Sequence, residues 1–137
     1  MSKKTQKIPL YISRVSAGFP SPADDFLEKN LDLNTYLIKH PTATFFVRVQ
    51  GDSMINGGIR SGDILIVDRS LEKTNNKIVI ALINGEFTVK RIKKNGDKVW
   101  LMAENPRYRP IEINSNMEFE IWGVVTHVIH STQHESA

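Results

Sequence analysis

Apolar residues after Pro41 fall into short runs, several of which alternate with polar residues, and turn residues separate the runs every eight to twelve positions. This pattern is typical of an all-β domain, because the side chains of a strand point alternately to its two faces. The predicted strands are Thr44–Gln50, Ile64–Val67, Lys77–Ile83, Glu86–Lys94, Lys98–Ala103 and Phe119–His130, the last of which a break could divide. We therefore predict a mainly β body.

Two Asn-Gly pairs, Asn84-Gly85 and Asn95-Gly96, are the strongest local signals in this region. A type I′ turn needs positive φ at both central residues, and asparagine followed by glycine adopts that conformation at little cost. Each pair lies between two predicted strands. The three strands from Lys77 to Ala103 are therefore expected to form an antiparallel meander.

The first 40 residues differ in composition, and we interpret them as an N-terminal arm before a β-rich domain over residues 41–137. Segment Gly18–Pro22 contains two prolines, which favour an extended and exposed linker. Two short helices are predicted: one opens with Ser21, Pro22 and Asp24 and runs through about Asn30, and one is capped by Asp32 and runs through Ile38.

The composition is that of one ordinary globular domain of 137 residues, of which 40% are hydrophobic and 24% charged. The longest apolar run, Ile78–Ile83, is far too short to cross a membrane as a helix. The chain has no cysteine, which excludes disulfides, cysteine-ligated metal centres and thiol chemistry, and suits a reducing compartment. We expect a cytoplasmic protein that does not associate with membranes.

The net charge of +3 originates in the N-terminal tail. Residues 1–17 hold four basic and no acidic residues, whereas residues 18–137 hold 14 basic and 15 acidic residues. A body without surplus positive charge lacks the electrostatic signature of a nucleic-acid-binding surface, and no pair of predicted helices is long enough for a helix-turn-helix. We expect no direct sequence-specific DNA binding.

Ser53, in the turn-forming segment Gly51–Met54, and Lys90, in the middle of a predicted strand, are candidate catalytic residues. Lysine can act as the general base for a serine only when it is neutral, which requires burial in apolar surroundings. On a strand, Thr88 and Ile92 share a face with Lys90, and this pattern permits a desolvated lysine without requiring one. The alternative interpretation is an ordinary turn and a solvated strand face.

Histidine is the more common base for a serine, and the chain has four: His40, His127, His130 and His134. The serine segment lacks the second glycine of a G-x-S-x-G nucleophile elbow, so a Ser–His–Asp triad is the weaker alternative. No H-E-x-x-H pattern occurs, and His127 and His130 are expected on opposite faces of one strand. We assign no metal and no cofactor.

Four separated segments form a further pattern, which reads AGFPSPAD at 17–24, GDSM at 51–54, GDILIVD at 62–68 and GEFTVK at 85–90. In sequence and order they closely resemble the UmuD/MucA-like SOS mutagenesis proteins, self-cleaving serine peptidases related to the C-terminal domain of LexA. The resemblance extends from about Ala17 to the strand that ends near His130. It implies a LexA/signal-peptidase-like β-rich catalytic core with an extended N-terminal arm and one or two short helices.

The resemblance also implies autocatalytic cleavage by a Ser–Lys dyad. It places the nucleophile at Ser53 and the general base at Lys90, 37 positions apart as in the family. It places the scissile bond between Ala17 and Gly18. The backbone N–H groups of Asp52 and Ser53 are the implied oxyanion donors.

The implied partners are a second copy of the chain, to form a homodimer, and the RecA–single-stranded DNA filament, which promotes cleavage in the family. The processed dimer is expected to join a UmuC-like Y-family DNA polymerase in translesion synthesis. Cleavage would remove all four basic residues of the tail and so change both the charge and the surface of the protein.

Three other functions stay open. A signal-peptidase-like protease would share the Ser–Lys dyad but needs a membrane anchor, which this sequence lacks. A non-cleaving polymerase accessory module of the same fold would use Ser53 and Lys90 as ordinary turn and strand residues. A LexA-like repressor would need a DNA-binding domain, and 17 residues before the expected cleavage bond are too few for a winged helix.

Overall fold

The computed structural model describes residues 8–11, 17–20 and 27–133. The chain divides into two units between residues 39 and 40. The N-terminal unit contains an antiparallel pair of strands and a five-residue helix: β1 (Ile8–Tyr11), β2 (Leu27–Leu31) and α1 (Leu33–Leu37). No helix within the described ranges combines the length and the apolar composition needed to cross a membrane.

One predicted helix of the arm is confirmed and the other is wrong. The Asp32 carboxylate accepts a hydrogen bond from the Asn34 N–H at 3.0 Å and caps α1, as predicted. The other helix should reach Asn30, but Leu27–Leu31 is a strand paired with β1. Helix-start signals read from neighbouring residues do not reveal a strand partner some 20 positions away. The predicted cap at Ser21 lies outside the described residues.

Among the described residues, the C-terminal unit forms one antiparallel sheet of seven strands in the order β3-β4-β9-β5-β6-β7-β8. The strands are β3 (Thr44–Arg48), β4 (Ile64–Asp68), β5 (Ile78–Ile83), β6 (Glu86–Asn95), β7 (Lys98–Met102), β8 (Ile111–Glu112) and β9 (Phe119–Ile129). Short 3₁₀ turns at Pro41–Ala43 and Ile55–Gly57 precede β3 and β4. The predicted mainly β body is confirmed, and β8 is the strand of this sheet that the apolar pattern did not reveal.

Strand β5 is covered on both faces of the sheet. Ile80 packs in one apolar cluster and Val79 and Ala81 pack in a second, because neighbouring side chains of a strand point to opposite faces. A strand buried on both sides reads as an uninterrupted apolar run, as the sequence of β5 does. The buried members of the first cluster, here called cluster one, are Val49, Met54, Ile59, Leu65, Val67 and Ile80.

The two predicted hairpin turns differ in type. Asn84 and Gly85 have φ angles of 50° and 83°, the positive pair that a type I′ turn requires. In the second hairpin Asn95 pairs with Lys98, so Gly96-Asp97 forms the loop, and its glycine has a φ of 61°. Glycine at the first central position is the type II′ pattern. The turn predicted at Asn95-Gly96 is therefore displaced by one residue.

Candidate active site

The turn Gly51–Met54 follows β3 and is fixed by its backbone and by one buried side chain. Gly51 has a φ of 100°, a conformation that other residues rarely adopt, and its N–H donates to Ser61 Oγ at 3.1 Å. Met54 is 1% exposed and packs in cluster one. Ser53 therefore lies between a constrained glycine and an anchored methionine.

Lys90 lies near the middle of β6, directly opposite Val79 of β5. Val79 and Ile92, which share its face of the sheet, are completely buried. Lys90 itself is only 7% exposed. The strand pattern that permits a desolvated lysine thus corresponds to a buried one.

The Lys90 amino group contacts three oxygen atoms. Its Nζ lies 3.0 Å from Ser53 Oγ, 2.8 Å from Thr88 Oγ1 and 3.1 Å from the Val89 carbonyl oxygen. A neutral amine has two N–H donors and one lone pair, so it can donate to Thr88 and Val89 and accept the Ser53 hydroxyl proton. An ammonium group has three donors and no acceptor. The three oxygen atoms therefore suit both forms: an ammonium group can donate to all of them, and a neutral amine can donate to two and accept from Ser53.

The burial of Lys90 favours its neutral form. Burial lowers the pKa of Lys90, because removing the amino group from water penalises its charged form. Within the described part of the chain, none of the ion pairs involves Lys90. No paired carboxylate of these described residues thus counteracts the effect of burial.

Ser53 and Lys90 line a cleft of about 430 Å³. Residues 47–50, at the end of β3 and just after it, and residues 87–89 of β6 also line this cleft. Among the described residues, β3 is the terminal strand of the sheet and pairs only with β4. The free edge of a strand presents backbone N–H and C=O groups with which an extended peptide can pair. The cleft can thus receive an extended chain beside the serine.

A loop after β7 contacts the serine turn, and the sequence pattern does not predict this contact. Asn105 Nδ2 donates to the Asp52 carbonyl oxygen at 3.0 Å, and the Tyr108 hydroxyl donates to the Asp52 carboxylate at 2.6 Å. The hydrogen bond to Asp52, together with its negative charge, raises the pKa of Tyr108. The turn-forming pair Asn105-Pro106 is a local signal for a loop, but nothing in the sequence connects it with a turn some 50 positions earlier.

The backbone N–H groups of Asp52 and Ser53 are the expected oxyanion donors. Within the described ranges, neither group donates a hydrogen bond. Both N–H groups therefore have the capacity to bind a ligand oxygen.

None of the described histidines hydrogen-bonds to Ser53, whose side-chain partner is Lys90. The partners of the described histidines are Asp68 for His40 (2.6 Å), Thr126 for His127 (3.0 Å) and Asp63 for His130 (2.7 Å). His134 lies outside the described residues. The described part of the chain also contains no group of three metal-ligating side chains. The contacts of Ser53 thus favour a lysine over a histidine as its base.

Ala17 and Gly18, the expected scissile pair, belong to the N-terminal unit. Residues 17–20 are exposed, and Phe19 is 90% exposed. An exposed peptide bond is accessible to a protease. Ser21 and Pro22, which complete the expected linker, lie outside the described residues.

Comparison with known proteins gives an independent result. Residues 9–126 match the family model described as Peptidase S24-like, a range that includes the candidate dyad and the expected scissile bond. MucA of Salmonella typhimurium is 46% identical over 127 residues, which cover 92% of this chain and 86% of MucA. SamA of Salmonella typhimurium is 47% identical over 125 residues, which cover 91% of this chain and 86% of SamA.

A repressor shows a more partial likeness. LexA repressor 1 of Pseudomonas syringae pv. tomato is 44% identical over 119 residues. These cover 86% of this chain but 58% of the repressor. The likeness therefore concerns part of LexA repressor 1, whereas it extends over most of MucA and SamA.

Proposed function

The chain belongs to the Peptidase S24-like family, as its resemblance to UmuD/MucA-like proteins predicts, and we propose that it cleaves its own N-terminal arm. The scissile bond in this proposal joins Ala17 to Gly18. Ser53 is the nucleophile, Lys90 is the general base and the N–H groups of Asp52 and Ser53 bind the oxyanion. The protein acts in the SOS response and in mutagenesis.

The 3.0 Å contact between Lys90 Nζ and Ser53 Oγ carries this proposal. A serine hydroxyl becomes an effective nucleophile when a base removes its proton, and the first requirement for that base is hydrogen-bond reach. The second requirement is the correct protonation state. Burial supports it by lowering the pKa of Lys90.

In the acylation step, neutral Lys90 takes the proton of Ser53 while Oγ attacks the carbonyl carbon of Ala17. The carbonyl oxygen becomes negative and accepts hydrogen bonds from the Asp52 and Ser53 N–H groups. When the tetrahedral intermediate collapses, the bond between Ala17 and Gly18 breaks. Lys90 then gives its proton to the departing amine of Gly18, which leaves an ester between Ser53 and Ala17.

In the deacylation step, neutral Lys90 takes a proton from water while the water oxygen attacks the ester carbonyl. A second oxyanion forms at the same position. Its collapse breaks the ester bond, and Lys90 returns the proton to Ser53 Oγ. The products are a free carboxylate at Ala17 and a chain that begins at Gly18, with the dyad restored.

The proposal includes the partners implied by the family. The RecA–single-stranded DNA filament promotes cleavage by favouring the conformation in which the arm enters the cleft. The processed homodimer then serves as an accessory subunit of a UmuC-like Y-family polymerase in translesion synthesis. Cleavage and the later role in translesion synthesis both take place in the cytoplasm in this proposal, a location that the cysteine-free composition suits.

The mass of the purified full chain after incubation tests this proposal. One sample is held at alkaline pH, and another is mixed with RecA, single-stranded DNA and a nucleotide that keeps the filament assembled. The test variants are Ser53→Ala and Lys90→Ala. The matched controls are Ser131→Ala, an exposed serine, and Lys94→Ala, an exposed lysine of the same strand.

The proposal predicts a species that begins at Gly18 in the wild type and in both control variants, but in neither dyad variant. A wild type that stays intact in both samples would contradict self-cleavage and would favour the non-cleaving accessory module. Cleavage at Gly18 that persists in Ser53→Ala would instead show that another protease acts on the arm.

A further inference from the structure

Asn105 connects the loop 103–110 to the serine turn through one backbone carbonyl group. Its Nδ2 donates to the Asp52 carbonyl oxygen at 3.0 Å, and the Ile55 N–H donates to the same oxygen at 3.2 Å. Its Oδ1 accepts from the Arg107 N–H at 3.0 Å. Because the Arg107 N–H can only donate and the Asp52 carbonyl can only accept, these two partners determine which way the Asn105 amide points.

A constraint on the Asp52 carbonyl also constrains the N–H of Ser53. The two groups belong to one peptide unit, which is planar, and in a trans peptide they point in opposite directions. The described residues contain no cis peptide bond. The Ser53 N–H is therefore directed away from Asn105, and among the described residues it donates no hydrogen bond.

We propose that Asn105 is a positioning residue for the oxyanion hole: by holding the Asp52 carbonyl, it aims the Ser53 N–H at the oxygen that becomes negative during cleavage. This inference rests on the proposed Ser–Lys peptidase function. Asn105 itself does not touch the substrate. Its effect passes through the Asp52–Ser53 peptide, because a donor that is already oriented stabilises the developing charge without having to reorient.

The loop that carries Asn105 is fixed to the turn at further points. The Tyr108 hydroxyl donates to the Asp52 carboxylate at 2.6 Å, and the Asn56 N–H donates to the Glu104 carbonyl at 2.8 Å. These bonds lie on either side of Asn105 along the chain. They give its amide a stable platform, which a positioning residue requires.

Asn105→Asp tests the inference, because an aspartate keeps an acceptor for the Arg107 N–H but has no donor for the Asp52 carbonyl. Asn114→Asp is the matched control. Asn114 is exposed, and its Oδ1 accepts from the N–H two residues ahead, that of Asn116, at 2.9 Å. Both variants thus gain one negative charge in the same kind of local turn.

The measurement is the first-order rate constant of self-cleavage in the full chain as a function of pH, read at its alkaline plateau. At the plateau Lys90 is neutral, so an effect of the new charge on its pKa no longer changes the rate. Loss of one oxyanion donor lowers turnover about 10²–10³-fold. We expect Asn105→Asp, and the uncharged Asn105→Ala, to lower the plateau at least fivefold relative to Asn114→Asp. Smaller effects in the two Asn105 variants would overturn the inference.

A second measurement separates this inference from the proposed function and from loss of folding. In the Ser53→Ala background, which should not cleave, the residual dipolar coupling of the N–H at position 53 reports its orientation. Adding Asn105→Asp should change this coupling, and adding Asn114→Asp should not, while thermal unfolding confirms that each variant is folded. An unchanged coupling overturns the inference even if the wild type proves unable to cleave itself.

Discussion

We expect the rate constant of self-cleavage to rise with pH in proportion to the neutral fraction of Lys90. Only the neutral amine can take the Ser53 proton, and burial places the pKa of Lys90 below the ordinary lysine value of 10.5. Well below that pKa, the neutral fraction grows tenfold for each pH unit. The logarithm of the rate constant should therefore rise with a slope of one, bend below pH 10.5 and reach a plateau.

Two substitutions of Lys90 test its role as the general base. Lys90→Ala removes the group whose Nζ lies 3.0 Å from Ser53 Oγ, and the rate at the plateau should fall by about 10²–10⁴, the usual contribution of general acid–base catalysis. Lys90→Arg keeps a long cationic side chain that stays protonated at every pH used. Its rate should be low and should not follow the wild-type titration.

The assay follows the species that begins at Gly18 by mass spectrometry, from pH 7 to pH 11, and Lys94→Ala controls for loss of a lysine from the same strand. Protein concentration is varied tenfold at each pH to separate cleavage within a chain from cleavage between chains. Circular dichroism confirms that the protein stays folded. A bend at or above pH 10.5, or the wild-type slope retained in Lys90→Ala, would refute the assignment of Lys90 as the base.

Three further predictions concern the surroundings of the dyad and the fold. Thr88→Val removes the oxygen 2.8 Å from Lys90 Nζ, so single-turnover assays should show cleavage slowed about 2–10-fold, and Thr88→Ser should restore it. Because its pKa is lowered, folded Lys90 binds fewer protons than unfolded Lys90 in the window just below pH 10.5, and stability rises with pH there. In urea unfolding, Lys90→Met should therefore be more stable than the wild type at neutral pH, and this advantage should shrink as pH approaches 10.5. Burial raises the pKa of Asp68, but hydrogen bonds from Ser70 and His40 outweigh it, and the net pKa is lowered. Asp68→Asn should lower the free energy of unfolding by about 1–3 kcal/mol at pH 7, a difference that disappears as pH falls below 3.8.

The large strands of the sheet could be predicted because their apolar runs are determined by burial. β5 reads as a continuous run since both of its faces are covered, whereas β6 mixes apolar and polar residues and is exposed at both ends. Other strands lack such a pattern. β8 has two residues, and β2 has the sequence LEKNL, which pairs with a strand far away in the chain. Strand formation there depends on a partner that no local window contains.

The candidate site was predictable to a different degree at each residue. Alternation along β6 permits a buried Lys90. The pairing of Lys90 with Ser53, however, is predicted by resemblance to a family and not by the spacing of the two residues. The contacts of Asn105 and Tyr108 with Asp52 join positions more than 50 residues apart. Asparagine and tyrosine are common in loops, so their residue types do not single out these two positions. Only the fold, which brings the loop after β7 to the turn after β3, reveals what they hold.

Within the described ranges, the hydrogen-bond partners of the Lys90 amino group come from the C-terminal unit: Ser53, Thr88 and the Val89 carbonyl. The proposed dyad is therefore built from residues of one unit. A preformed dyad can attack only a peptide that reaches it, and a tethered substrate has a high effective concentration once it is correctly placed. In the proposed function, control of cleavage then lies in presentation of the Ala17–Gly18 bond. A partner can promote cleavage by favouring the docked arm, without contributing any catalytic group.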